Sequence, residues 1–222
     1  MKEQQEKDIY CRLLLNNLFE GYNHLPITKS SMSFFAIAMI INDIQINKRQ
    51  NVLEFGSGLS TILMARLIKK NNLSCKIYSV EHDKNWFDLL NTILKKENTI
   101  ENVVSIYAPL TPSEKSKNNL EWYNEEAILN SLPENSLFDL VIIDGPPAHE
   151  RSKSVSRYPA LPFLNNKLNK SYSLYMDDAS RKGEREVINY WKEEFKFSFI
   201  LISNKIALSS DDDFIQYSCL PC

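Results

Sequence analysis

The sequence has 222 residues and a formal net charge of −2, enough chain for one well-filled core without a second module. Its basic residues Arg181, Lys182, Arg185 and Lys192 alternate with Glu184, Glu186, Glu193 and Glu194, the pattern of a solvated helix and not of a nucleic-acid footprint. The longest apolar run, Phe34 to Ile41, has eight residues, far from the roughly 20 of a spanning helix. The polar start Lys2 to Glu6 also lacks the apolar stretch of a secretion signal, so a cytoplasmic protein with no membrane or nucleic-acid partner is expected.

In chain order, Asp8 to Glu20 place Ile9, Leu13, Leu14, Leu18 and Phe19 on a helical period, and Met32 to Ile46 form a second helical stretch after Pro26. Residues 1–48 thus read as a helical arm. Its apolar run fits a homodimer contact as readily as a cover over the chain's own site. From Asn51 the pattern alternates short apolar strands (Val52 to Phe55, Ile77 to Glu81, Val103 to Tyr107, Leu137 to Asp144, Ser173 to Asp177) with helices (Thr61 to Lys70, Trp86 to Lys96, Glu184 to Phe195). Such alternation predicts an α/β fold, a doubly wound, mainly parallel sheet over residues 49–208. Residues 108–135 read as a polar insertion with a short helix at Leu120 to Leu129. The apolar segments Phe197 to Ser203 and Lys205 to Ser209 are joined by little more than Asn204, which permits a hairpin but not a crossover, so the sheet should finish on one reversed strand. Residues 209–222 form a tail.

Four cysteines, Cys11, Cys75, Cys219 and Cys222, are scattered, and reduced thiols are expected. The terminal Cys-x-x-C lacks the second pair of a zinc site.

Ligands of doubly wound sheets bind beyond the carboxyl ends of the strands. Here those ends carry Glu54, Glu81, Asp144, Asp177 and Asp178, and four of the five glycines, Gly56, Gly58, Gly145 and Gly183, lie beside them. Glycine lets backbone approach a ligand closely, the reading favoured for Gly56 and Gly58, whereas a turn suffices for Gly183. The run Glu54-Phe55-Gly56-Ser57-Gly58-Leu59-Ser60-Thr61 suggests a dinucleotide turn, yet Thr61 stands where the third glycine belongs. The charge of Glu54 suits an ammonium better than a pyrophosphate. Helix-start amides near Ser60 and Thr61 can still receive a carboxylate. Glu81, 27 positions beyond Glu54, is placed to accept hydrogen bonds from ribose hydroxyls, although it could instead cap the next helix alongside His82 or Asp83.

With these residues the sequence resembles the class I S-adenosylmethionine-dependent methyltransferases. The matching pieces are Val52-Leu53-Glu54-Phe55-Gly56-Ser57-Gly58, Val80-Glu81-His82-Asp83 and Asp139-Leu140-Val141-Ile142-Ile143-Asp144-Gly145-Pro146-Pro147. A bacterial subgroup resembling small-molecule O-methyltransferases also carries Ala108-Pro109-Leu110, Trp122-Tyr123, Arg157-Tyr158-Pro159-Ala160 and Asp177-Asp178-Ala179-x-Arg181-x-Gly183-Glu184. The resemblance implies a seven-stranded sheet with the last strand antiparallel. It also implies S-adenosylmethionine as cofactor. Glu54 and the loop Gly56, Ser57, Gly58 would then lie at its methionine end with Ser60 and Thr61, Glu81 and His82 at the ribose, and Ala108 near the adenine. Arg157, Trp122 and Tyr123 would face the acceptor, although Trp122 and Tyr123 on a helical segment serve equally well as packing residues.

Methyl transfer is an in-line displacement that alignment and dryness promote, and a hydroxyl acceptor also needs a base or a metal. Asp144 is the candidate base, with the loop residue His149 as a second. Asp144, Asp177 and Asp178 resemble the divalent-ion site of catechol-type O-methyltransferases and would offer oxygen ligands to Mg²⁺, although the pair is Asp-Asp and not Asp-Asn. Carboxylates so close repel unless a cation or a proton lies among them. In the plainer reading Asp178 caps the following turn and Asp144 acts alone. The expected activity is O-methylation of a small-molecule or sugar hydroxyl. A non-catalytic nucleoside- or cofactor-binding module and an NAD-dependent oxidoreductase are the alternatives.

Overall fold

A computed structural model describes residues 2–203 and 205–211 of the chain. Helix α1 spans Lys2–Leu14 and yields to a single 3₁₀ turn at Asn16–Leu18, so it begins and ends earlier than the apolar period predicts. Ser33 caps α2 (Phe34–Ile46), its hydroxyl accepting from the Ala36 amide at 3.3 Å. Asp8 of α1 accepts from the Phe35 amide at 3.0 Å, which locks the two helices together. Every residue from Phe35 to Ile41 is buried within the chain's own core, so the apolar run is used internally.

The alternation that follows gives β1 (Asn51–Phe55), α3 (Leu59–Asn71), β2 (Lys76–Glu81), α4 (Lys84–Lys96) and β3 (Val103–Tyr107). The insertion differs from expectation. Its residues β4 (Leu110–Pro112) and β5 (Glu121–Tyr123) pair as an antiparallel hairpin, and the helix α5 (Glu125–Ser131) starts only where Asn124 caps it. Trp122 and Tyr123 pack in the core against Phe55, and this aromatic burial sets the strand against the helical pattern. The chain continues through β6 (Phe138–Ile143), α6 (Ala160–Phe163), β7 (Leu168–Asp177), α7 (Lys182–Phe195), β8 (Ile200–Leu201) and β9 (Ile206–Ser210).

Seven strands form one sheet in the order β3-β2-β1-β6-β7-β9-β8. All neighbours run parallel except β9, which is antiparallel to both β7 and β8. The last strand is reversed as expected, but it slots inside the sheet and the segment before it becomes the edge. Burial explains the choice: Ile206, Ala207 and Leu208 are enclosed, whereas Ile200 and Leu201 are 51% and 57% exposed, which suits a short edge. Side chains alternate between two core layers, Val52, Ile77 and Leu140 facing α2 to α4 while Leu53, Val80 and Val141 face Trp122, Phe163 and Trp191.

Strand order reverses between β1 and β6, which opens a crevice at their carboxyl ends. Cys11 and Cys75 are both buried as thiols. Asn204, the Cys219 and Cys222 pair and most of the expected tail lie outside the described residues. Among the described residues no helix is long and apolar enough to cross a membrane.

Candidate active site

The loop leaving β1 crosses the loop leaving β6 at two glycines. Gly56 has φ +100°, and a Cβ on it would lie 3.0 Å from the Gly145 nitrogen, so both the backbone sign and the close approach demand glycine. A Cβ on Gly58 would meet open space. Gly58 also begins α3 with no side chain to cap the amides of the first turn, while its own amide donates to Thr61 Oγ1 at 2.9 Å.

Glu54 is fully buried beneath this loop. Its carboxylate accepts from Ser60 Oγ and Thr61 Oγ1 at 2.5 Å each and from Ser79 Oγ at 2.7 Å. Burial pushes its pKa up, and the three hydroxyls oppose that rise. The expected direct contact with an ammonium is therefore corrected. Alternation along β1 turns position 54 toward α3, where the hydroxyls of Ser60 and Thr61 reach back to it, so Glu54 shapes the loop from below. Thr61 is buried with it, while Ser57 and Ser60 line the cavity.

Glu81 closes β2 with one oxygen already engaged: Oε1 accepts from the His82 and Asp83 amides at 2.7 Å each. Its other oxygen makes no hydrogen bond to the described residues, and Glu81 stands in the cavity wall. Asp83, not Glu81, caps α4, accepting from the Trp86 amide at 2.9 Å. Trp86 donates its indole N–H to the Ser57 carbonyl at 2.8 Å, joining α4 to the glycine loop. Ala108 is buried behind Glu81, its amide on the Glu81 carbonyl at 2.8 Å, and does not reach the cavity.

The cavity measures about 410 Å³, within the range of small-molecule sites. Its walls come from Gly56 to Ser60, Glu81 to Asp83, Trp86, Tyr123, Asp144, Gly145 and Pro147, and the arm closes it with Thr28, Ser30, Ser31 and Met32. Three acids line it and, among the described residues, no lysine or arginine does. Tyr123 is 1% exposed, and its hydroxyl has no partner among the described residues. A Cβ on Gly145 would lie 2.0 Å from that hydroxyl, so glycine at 145 is what lets the phenol reach this position.

Beside the cavity, Asp144, Asp177 and Asp178 bring carboxylate oxygens within 4.8 Å of one another. Arg157, 3% exposed, runs between them. Its Nη2 donates to the Asp144 carbonyl at 2.6 Å and lies 3.5 Å from Asp144 Oδ1 and 3.4 Å from Asp178 Oδ2. Its Nη1 donates to the Asp177 carbonyl at 3.0 Å, and its Nε to the Pro146 carbonyl at 3.3 Å. Burial, then the Asp178 charge, pushes the Asp177 pKa up to about 6. Asp144 is raised well above the usual carboxylate range by burial and then by Asp177, against the pull of Arg157.

His149 is not brought to the site. Its side chain is 68% exposed, with Glu150 at 4.0 Å as its nearest charged neighbour, because nothing in that loop turns it inward. Gly183 proves to be a helical residue in α7, where a Cβ would lie 2.0 Å from the Ser154 carbonyl oxygen; close packing, not a turn, requires it. Sequence reasoning missed Trp86 as a cavity residue and the arm segment 28–32 as its cover. Trp86 follows the capping Asp83 by one turn, a signal that was present; the arm's path carries none.

Residues 53–179, more than half of the chain, match the family described as a methyltransferase domain. No curated protein matches the sequence. Among solved structures, the chain is similar to the S-adenosylhomocysteine-bound methyltransferase PaMTH1 of Podospora anserina, with TM-score 0.68 and 13% identity over 96% of this chain and 97% of that one. It is also similar to the O-methyltransferase TomG of Streptomyces achromogenes, involved in tomaymycin synthesis and solved with S-adenosylmethionine, with TM-score 0.62 and 12% identity over 95% and 99%. An O-methyltransferase of Bacillus cereus in complex with S-adenosylhomocysteine gives TM-score 0.57 and 13% identity over 93% and 91%. At these identities the likeness is one of fold.

Proposed function

The chain belongs to the methyltransferase-domain family, a class I enzyme by fold, and from that premise we propose that it moves the methyl group of S-adenosylmethionine to a hydroxyl of a small molecule. One observation carries the cofactor: the cavity joins a helix start with no capping side chain at Gly58 to a half-free carboxylate at Glu81, with no lysine or arginine in the described wall. An α-carboxylate suits the helix start, and vicinal ribose hydroxyls suit the free oxygen of Glu81. An acidic wall favours a cationic ligand and disfavours a diphosphate, which weighs against a nicotinamide dinucleotide.

When bound, S-adenosylmethionine supplies an electrophilic methyl carbon on a sulfonium centre. Gly56, Gly145 and Tyr123, with Thr28, Ser30, Ser31 and Met32 of the arm, would line the space that holds it and limit the access of water. Asp144, the acid in the cavity wall next to the β6 end, is suited to take the acceptor's proton. With the methyl group supplied by the bound cofactor, the Asp144 carboxylate would receive the proton of the acceptor hydroxyl. Asp144 in the cavity wall argues against a module that only binds. Thr28, Ser30 and Ser31 at the rim suit a neutral, hydroxyl-bearing acceptor.

The test is transfer from a methyl-labelled donor to a panel of phenols and sugars. An Asp144→Asn variant should keep its affinity for S-adenosylhomocysteine within about threefold and lose kcat by about 10²-fold or more. Full turnover in the variant would remove Asp144 from the chemistry.

A further inference from the structure

We propose that Arg157 is the resident cation of the acidic cluster, that its guanidinium stands in place of a divalent ion, and that the enzyme works without one. The oxygen donors alone would suit Mg²⁺. The geometry does not, because the outer oxygens of the trio, Asp144 Oδ1 and Asp178 Oδ2, already face one guanidinium nitrogen at 3.5 and 3.4 Å. An ion held by the trio, whose oxygens lie within 4.8 Å of one another, would sit against that guanidinium.

Arg157 has no way to step aside. Three backbone carbonyls, of Asp144, Pro146 and Asp177, hold its Nη2, Nε and Nη1, and the buried Glu184 carboxylate lies 3.7 Å from Nη1. The planar fork thus spans the carboxyl ends of β6 and β7, a geometry that suits arginine and that no lysine reproduces. Arg181 neutralises the outer flank, 2.8 Å from Asp178 Oδ2. Of the trio, Asp144 reaches the cavity wall, 17% exposed, and a cation bound there favours its charged form. There a sulfonium-bearing ligand completes the neutralisation, a step that rests on the proposed function. Arg157 itself touches neither reacting atom; it is a positioning residue that fixes the Asp144 carboxylate and the loop carrying Gly145. An acceptor then needs no pair of adjacent oxygens to chelate an ion.

The test uses the whole chain and Mn²⁺ as a spectroscopic probe, with S-adenosylhomocysteine binding measured on the same samples. The wild-type protein should bind no stoichiometric Mn²⁺ at millimolar concentration, and its methyl transfer should be unchanged by a chelator. An Arg157→Met variant that retains its fold should gain Mn²⁺ binding at least tenfold tighter than wild type, and added Asp178→Asn should abolish that gain. Arg157→Lys, which keeps a charge in the cluster, should gain none, so the wild-type and lysine results decide the matter even if the methionine variant does not fold. One Mn²⁺ per wild-type chain, lost on Asp178→Asn, would overturn the proposal, as would a folded Arg157→Met protein with no gain. Failure of S-adenosylhomocysteine to bind would instead remove the proposed cofactor and leave the metal result standing.

Discussion

Tyr123 encloses a hydroxyl with no hydrogen-bond partner among the described residues, an arrangement that costs a folded protein about 1–3 kcal/mol. Burial holds the phenol protonated, its pKa raised well above the usual value, with Glu81 adding to the effect. Tyr123→Phe should therefore leave the free protein as stable as before or about 1 kcal/mol more so, while S-adenosylhomocysteine binds about 5–10-fold more weakly; parallel denaturant and calorimetric titrations would separate the two signs. Asp177 sets a pH dependence of its own. Its folded pKa is about 6 against 3.8 for the free group, so the folded state binds the extra proton. The stability this group contributes is full below about pH 4 and is lost as pH rises through 6. Melting temperatures at about pH 4.5 and 7.5 should show Asp177→Asn stabilising the protein more at the higher pH, and an equal effect at both would contradict the assignment. The acids of the site were legible in the sequence because strand ends are fixed by periodicity. Orientation was not: nothing in residue spacing separates Glu81, which faces the cavity, from Glu54, which faces hydroxyls, or points the loop residue His149 outward.

At the level of elements, α3 carries a second buried cation that ties the arm to the domain. Arg66 donates to Glu97 at 2.6 and 2.8 Å and to the Leu18 carbonyl at 2.9 Å. An Arg66→Met substitution leaves Glu97 buried without its partner and should cost about 3–5 kcal/mol, read from urea unfolding. The arm it anchors leads into residues 28–32 above the cavity, so ligand affinity should fall in the same variant. A loss of stability below about 1 kcal/mol would mean that the pair does not hold the arm. The five parallel strands and the helices α3, α4 and α7 were readable from alternation, since a sheet buried on both faces leaves continuous apolar runs, whereas the short α6 was not. The β4–β5 hairpin was not readable. Its three-residue strands are too short for a period, and what defines them is the packing of Trp122 and Tyr123 on Phe55, a contact between residues far apart in the chain.

For the molecule as a whole, the reversed strand was inferred from one short link and the count of seven strands from the family resemblance, and the strand order from neither. A hairpin leaves open which partner takes the inner place, and only the burial of Ile206 to Leu208 settles it. The near-neutral charge of −2 conceals a local imbalance that matters more than the total. Acids gather at the carboxyl edge of the sheet, one arginine is sealed among them, and no lysine or arginine among the described residues lines the cavity alongside. That imbalance favours a cationic, unphosphorylated ligand, the premise on which the proposed cofactor rests. The most direct test is calorimetric titration of the wild-type chain and a Glu81→Ala variant with S-adenosylhomocysteine, using NADH as the control ligand. Micromolar binding, about −8 kcal/mol, weakened at least tenfold by the substitution and absent for NADH, is the predicted result. No heat with S-adenosylhomocysteine, or equal affinity in the two proteins, would contradict it.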